Sequence, residues 1–169
     1  MEINKTIQAE IEYYNALPCV FVDFMDVSEL SDGVISLVCK TKQPAIPERK
    51  RVPVYFFDIL KGDERVGEVS LRIGYVDSLY YGGQIAYDID EAHRGNNYAV
   101  MACRLLAPVA EFHGMTKLLI TNDESNVASR RVCEKLGARL VRKAELPDWH
   151  DLYEKGLRFV NIFEWDLVE

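Results

Sequence analysis

The sequence is thin in the residues that build metal centres and covalent frameworks. It has three histidines, and its four cysteines, Cys19, Cys39, Cys103 and Cys133, lie far apart with no C-x-x-C pair. That pattern suggests neither a zinc site nor a disulfide framework, and the cysteines read as buried thiols. No apolar run approaches the roughly eighteen residues of a membrane span, and the start, Met1-Glu2-Ile3-Asn4-Lys5, lacks the basic-then-apolar pattern of a secretion signal. The expectation is a soluble cytoplasmic protein with no membrane contact. Basic residues are outnumbered by acidic ones, 20 to 27, for a net charge of −7. This argues against a nucleic-acid partner and tilts toward small, cationic ligands. Also missing are G-x-x-x-x-G-K-[ST], which excludes a P-loop NTPase, and G-x-G-x-x-G, which argues against a dinucleotide fold. There is no internal repeat and no low-complexity tract.

What is present suffices for one domain. The chain has 169 residues, 49% apolar and 28% charged, enough to bury a core without cross-links. Ile3, Ile7, Ile11 and Tyr14 recur at helical spacing and predict an amphipathic helix ending near Pro18. Val34 to Cys39 reads as a strand. Lys40 to Pro53, with three prolines and five basic residues against one Glu, reads as a loop suited to border a binding site. Val54 to Leu60, Arg65 to Ile73 and Gln84 to Asp90 read as three strands of an antiparallel meander, the first two joined by a hairpin at Gly62-Asp63. In the third, Ile85, Tyr87 and Ile89 share one face, and Ala86, Asp88 and Asp90 the other.

After Asp90 the apolar period lengthens to about 3.6. Tyr98, Met101, Ala102, Leu105, Leu106 and Val109 form a helical stripe closed by Gly114, with Pro108 expected to kink it at a cost of roughly 3 kcal/mol. Lys117 to Thr121 reads as a buried strand, Asn126 to Leu136 as a helix stopped by Gly137, Arg139 to Arg142 as a strand, Leu146 to Lys155 as a loop, and Leu157 to Leu167 as a last strand. The expected class is α/β: a mixed sheet of six to seven strands, antiparallel in its N-terminal part with a parallel pair at its centre, flanked by helices.

The informative segment is Asp90-Glu91-Ala92-His93-Arg94-Gly95-Asn96-Asn97-Tyr98-Ala99, where a strand meets a helix N-terminus. The first amides of a helix lack intrahelical acceptors, the macrodipole adds partial positive charge, and Gly95 and the two Asn admit unusual backbone angles. Such a turn can cradle a pyrophosphate, with Arg94 adding a charge-assisted bond. On spacing alone the same residues also describe an ordinary helix start with an Asn cap.

Taken with Asn126-Val127-Ala128-Ser129 and Glu134-Lys135-Leu136-Gly137-Ala138, this run resembles the GCN5-related N-acetyltransferases, most closely the bacterial branch similar to ribosomal-protein and spermidine acetyltransferases. The family's pyrophosphate turn reads [RQ]-x-x-G-x-[GA]; Arg94 and Ala99 match its ends, and Asn97 replaces its Gly, as the residue that best tolerates positive φ. The N-x-x-S motif and the E-K-L-G after it match at every marked position. The likeness is strongest over Val54 to Arg142.

The resemblance implies acetyl-CoA as cofactor and direct acetyl transfer to a primary amine of a small molecule or peptide. It implies that the pantetheine lies along the main chain of Tyr87, Asp88 and Ile89. The pyrophosphate would sit on Arg94, Gly95, Asn96, Asn97, Tyr98 and Ala99, with Asn126 and Ser129 facing the cofactor. Asp88 is the first choice as base, ahead of Glu68, Asp90 and Glu91. The family's usual tyrosine acid falls on Cys133, whose plain reading is a small core residue. Asp148, Trp149 and His150 fall where this architecture shapes the acceptor pocket, or are ordinary loop residues. Arg130, Arg131, Lys135, Arg139, Arg142 and Lys143 make Asn126 to Lys143 strongly basic, either to attract phosphates or as a solvated face. The alternatives are a non-catalytic acyl-CoA sensor on the same fold and an unrelated nucleotide-binding regulator. The acceptor and a homodimer stay open.

Overall fold

The structure, a computed structural model, describes residues 2–167, with side chains from residue 4 onward. The start of the chain and the apolar contact expected of Ile3 lie outside the described residues. Helix α1 (Glu2–Asn15) buries Ile11 and Tyr14, as its spacing predicts, and ends before Pro18. Five strands then form one antiparallel sheet in chain order: β1 (Glu29–Ser31), β2 (Ser36–Gln43), β3 (Val54–Lys61), β4 (Glu64–Arg72) and β5 (Ile85–Ile89). The hairpin between β3 and β4 turns at Gly62, where φ is +63°, a left-handed angle that costs glycine little. Before β5 a short helix, α2 (Asp77–Gly82), interrupts the meander.

Helix α3 (Tyr98–Phe112) follows β5, and then β6 (Lys117–Asn122), α4 (Val127–Leu136), β7 (Arg139–Glu145), the one-turn α5 (Asp151–Glu154) and β8 (Phe159–Asp166). Strands β6, β8 and β7 make a second sheet in that order, again antiparallel. The expectation of one sheet of six to seven strands is thus corrected: eight strands divide into sheets of five and three, and every registered pair among the described residues is antiparallel. The expected central parallel pair does not form a ladder. The physical reason is that β5 and β6 run near one another without a ladder, and the hydrogen bonds that join them come from Gln84, just before β5. Its amide donates to the Leu119 carbonyl at 2.9 Å, and its side-chain oxygen accepts from the Leu119 amide at 2.6 Å. A Cβ on Gly83 would stand 2.7 Å from that same carbonyl, so the close approach requires glycine, and past it the strands separate.

Pro108 does not end α3. It is exposed, so the carbonyl it leaves without an amide partner faces solvent, while Val109 and Ala110 beside it are fully buried and hold the helix to the core. The main core lies between α3, α4 and both sheets and contains Cys103 and Cys133; Cys19 and Cys39 are partly buried, and all four are free thiols. A second cluster packs α1 and α2 on β8. There Glu10 accepts a two-pronged contact from Arg142 at 2.7 Å on each carboxylate oxygen, and the Tyr80 hydroxyl donates to it at 2.8 Å. No helix among the described residues is long and apolar enough to cross a membrane, and no group of three or more metal-binding side chains forms among them.

Candidate active-site cleft

Because β5 is the last strand of its sheet and β6 of the other, each leaves an edge without a strand partner where they separate. A cleft of about 550 Å³ opens there, bounded by β5, the turn into α3 and one face of α4. All eleven residues that the family resemblance links to the cofactor line it: Tyr87, Asp88, Ile89, the run Arg94 to Ala99, Asn126 and Ser129.

The turn is built for close approach to its backbone. Gly95 has φ of +87° and Asn97 of +63°, so Asn97 occupies the left-handed region expected for the position where the family motif has glycine. Asn97 starts α3 without capping it; its side-chain oxygen instead accepts a hydrogen bond from the Lys135 ammonium on α4. The first turn of α3 carries no acidic residue, so its positive end is not neutralised from within the helix. Arg94 Nε donates to the Ile89 carbonyl at 3.1 Å, and Asn96 donates to the His93 carbonyl at 2.9 Å, which fixes the turn against the end of β5.

On the opposite wall, Asn126 caps α4: its side-chain oxygen accepts from the Ser129 amide at 3.0 Å. The cap and a place in the cleft are therefore held by the same residue. Ser129 Oγ and the Tyr87 hydroxyl share a hydrogen bond of 2.7 Å across the cleft. Behind them the buried Asn122, at the end of β6, donates to Ser129 Oγ at 3.4 Å and to Cys133 Sγ at 3.8 Å, and its own side-chain oxygen has no partner among the described residues. Burial pushes the Tyr87 hydroxyl well above the usual tyrosine range and the Cys133 thiol up to about 12. Cys133 itself is fully buried and does not line the cleft.

The other acidic candidates separate. Asp88 lines this cleft and also a groove of about 480 Å³ on the far face of β5, where Glu68 joins it. Glu68 and Asp90 are tied to Arg65 at 3.1 and 3.5 Å, and Glu91 opens the single turn of 3-10 helix that precedes Arg94. Trp149 and His150 line a cavity of about 810 Å³ with Arg49, Lys50 and Arg51; Asp148 does not line it. His150 is buried and structural. Its Nδ1 caps α5 by accepting from the Leu152 amide at 3.1 Å, which leaves Nε2–H to donate to the Ser78 carbonyl at 2.8 Å. Of the basic α4–β7 stretch, Arg131 and Lys135 reach the cleft, whereas Arg139, Arg142 and Lys143 pair with Glu164, Glu10 and Glu124.

The sequence reading assigned no role to Ala128 and Val132, which line the cleft with Arg131 and Lys135 of the basic stretch. Their spacing, i, i+3, i+4 and i+7, was the available signal. It also passed over Asn122, for which the sequence holds no local signal, because its partners come from α4 and from the separation of the sheets.

The cleft thus joins an open strand edge to a helix start whose first turn carries no acidic residue. The family model for the acetyltransferase (GNAT) domain matches residues 36–139, more than half of the sequence, and the chain belongs to that family. No curated protein sequence matches it. Among solved structures it is similar to a probable acetyltransferase at 22% identity and TM-score 0.53, over 67% of this chain and 62% of that one. The chain thus spans less than two thirds of that relative's length. A candidate ribosomal-protein-serine acetyltransferase from Vibrio cholerae matches at 14% identity and TM-score 0.60, over 85% of this chain and 99% of the other. A candidate acetyltransferase from Salmonella typhimurium, solved with its cofactor acetyl-CoA, matches at 15% identity and TM-score 0.53, over 69% and 66%. At these identities the likeness is one of fold.

Proposed function

We propose that the protein transfers an acetyl group from acetyl-CoA to the primary amine of an acceptor, by direct attack in a ternary complex. The observation that carries this reading is the convergence of all the cofactor-linked residues on one cleft whose phosphate end is a helix start with no acidic residue. The residues fit the group: the amides after Asn97 and the cations of Arg94, Arg131 and Lys135 suit a pyrophosphate, and the free edge of Tyr87, Asp88 and Ile89 suits the amides of a pantetheine arm. When bound, acetyl-CoA supplies a thioester carbon open to attack by an amine. Main-chain N–H groups of β5 polarise the thioester oxygen. Asp88, which borders both the cleft and the groove beside it, takes the proton from the incoming ammonium, directly or through water. A proton for the departing thiolate comes from the Tyr87–Ser129 hydroxyl pair, which Asn122 holds in place by donating to Ser129 Oγ and to the Cys133 sulfur behind it. Four free thiols are in keeping with the reducing cytoplasm as the place of action.

Calorimetric titration with acetyl-CoA, beside ATP and NAD, tests the reading. Micromolar binding of acetyl-CoA alone is expected, weakened at least tenfold by Arg94→Glu; no heat and no thermal shift would sink it. The burial of Cys133 away from the cleft favours, as a second reading, an acyl-CoA-binding module without turnover. Tight binding with no transfer to any of a broad amine panel would select that one.

A further inference from the structure

The face of the five-stranded sheet turned away from the core has a polarity that the sequence did not disclose. Side chains alternate along β4 and β5, so Glu68, Ser70 and Arg72 stand on the same face as Ala86 and Asp88, with Glu68 opposite Asp88 and Ser70 opposite Ala86 in register. Carboxylates occupy one end of this face. Arg72 occupies the other, four residues or about 13 Å along the strand from Glu68.

Arg72 is half-buried, and its one side-chain hydrogen bond is to Ser70 Oγ at 3.0 Å, which turns the guanidinium toward the Asp88 end. Among the described residues no carboxylate pairs with it. Arg51 lies near enough that its charge, after the larger effect of burial, pulls the Arg72 pKa below its ordinary value. Arg51 belongs to the loop that holds Arg49 and Lys50, and Lys50 sits at a left-handed φ of +54°, a conformation that costs a residue with a Cβ about 1 kcal/mol or more. The Ile46–Arg51 bridge closes this loop over a groove of about 340 Å³ that Arg72, Arg51, Phe56 and Ala86 line together. Two cations are thus held side by side in a groove continuous with the Asp88 face, since Arg72, Phe56 and Ala86 line both. Of the nearby carboxylates, Asp151 also lines this groove but pairs with neither cation among the described residues, and Asp77 accepts from Asn15 at 2.8 Å. Unpaired, partly desolvated guanidinium groups are costly to keep unless an anion completes them.

We propose that this face binds a dipolar acceptor, an amine whose carbon chain also carries a carboxylate or phosphoryl group, with the anionic group on Arg72 and Arg51 and the amine toward Asp88. This rests on the acetyl-transfer reading for the amine end, while the anion site stands on its own geometry. It adds an anion site to the cationic preference suggested by the net charge, which the Asp88 end of the face keeps.

The test compares kcat/KM for 4-aminobutyrate with its amide, O-phosphoethanolamine with ethanolamine, and putrescine as a dication, the first two pairs separating carboxylate from phosphoryl recognition. At least one amine that carries an anionic group should exceed its counterpart without one tenfold or more. Arg72→Gln should abolish that preference through KM, Arg72→Lys should restore part of it, and acetyl-CoA affinity should not change in either. Equal use of amines with and without the anionic group, or a preference for putrescine, overturns the proposal. Arg51→Gln, an exposed position, gives the same reading should Arg72→Gln fail to fold. Independently of any transfer, titration of the protein with inorganic phosphate or propionate should shift the Arg72 Nε–H resonance in nitrogen-15 spectra while leaving that of Arg65, already paired with Asp58, in place. Absence of that shift overturns the anion site; its presence with no transfer to any amine would instead count against the acetyl-transfer reading.

Discussion

Lys135 donates from its ammonium to the side-chain oxygen of Asn97, and its own carbonyl accepts from Arg104 at 3.2 Å, so the last turn of α4 is bonded twice to α3. The positive-φ position at the phosphate turn is therefore anchored from the opposite wall of the cleft. Asn97→Gly should retain the turn, whereas Asn97→Ala should lose about 1 kcal/mol of stability to left-handed strain and weaken acetyl-CoA binding several-fold. Lys135→Met should weaken binding while changing stability by less than about 1 kcal/mol, because the contact is exposed. Calorimetry and urea unfolding on the three variants check this.

Gly67 faces β5 with no room for a side chain: a Cβ would lie 2.4 Å from the Asp88 carbonyl oxygen and 3.0 Å from the Ile89 Cα. Gly67→Ala must displace β5, at a cost of roughly 1–3 kcal/mol. Because β5 is a wall of the cleft, acetyl-CoA affinity should fall together with the melting temperature. Gly62→Asn, in the open hairpin turn, is the control and should leave both nearly unchanged.

Gln84 is buried and joins the two sheets; its Nε2 also donates to the Gly74 carbonyl at 3.2 Å. Gln84→Leu keeps the volume but strands the Leu119 amide and the Gly74 carbonyl, so a loss of about 2–4 kcal/mol is expected. Hydrogen exchange at the Leu119 amide should accelerate beyond what the global loss explains, since the joint opens before the sheets do.

The Tyr55 hydroxyl accepts from the Met25 amide at 2.6 Å, so its proton goes to His113 Nε2 at 2.7 Å, and His113 Nδ1–H is left for the Val20 carbonyl at 3.3 Å. His113 is held neutral, and burial lowers its pKa below the ordinary histidine value of about 6.5. The unfolded chain then takes up the proton first as pH falls. Stability should be full above about pH 6.5 and decline below it, by up to about 1.4 kcal/mol per pH unit, until the folded pKa is reached. Urea midpoints at pH 7.5 and 5.5 should differ in the parent protein and converge in His113→Gln.

Much of the β3–β4–β5 meander, with its Gly62 turn, was legible because alternation and turn chemistry are local. The same holds for the turn at Asn97, whose positive φ follows from residue type. The division into two sheets was not legible: strand patterning says that Lys117 to Thr121 is buried, not which strand it pairs with, and the answer depends on Gln84 and Gly83. Helix α2, six residues long, is too short to show a period. For Cys133 the signal was present, and its plain reading as a small core residue agrees with its burial. Ser129, Cys133 and Leu136 are the buried positions of α4, at i, i+4 and i+7, a spacing that turns the cysteine inward. Arg72 gave no signal of its own in the sequence, because its lack of a counterion is a property of the assembled face.

The separation of β5 from β6 also bears on how the molecule keeps to itself. An unpaired strand edge is ordinarily where a protein is open to pairing with a second copy and so to aggregation. Here the two bare edges border a gap of about 320 Å³ that Leu152 and Leu157 also line. On the proposed reading, the backbone groups that a second copy could pair with are the ones a bound cofactor would occupy, so that filling the cleft would also guard against self-association.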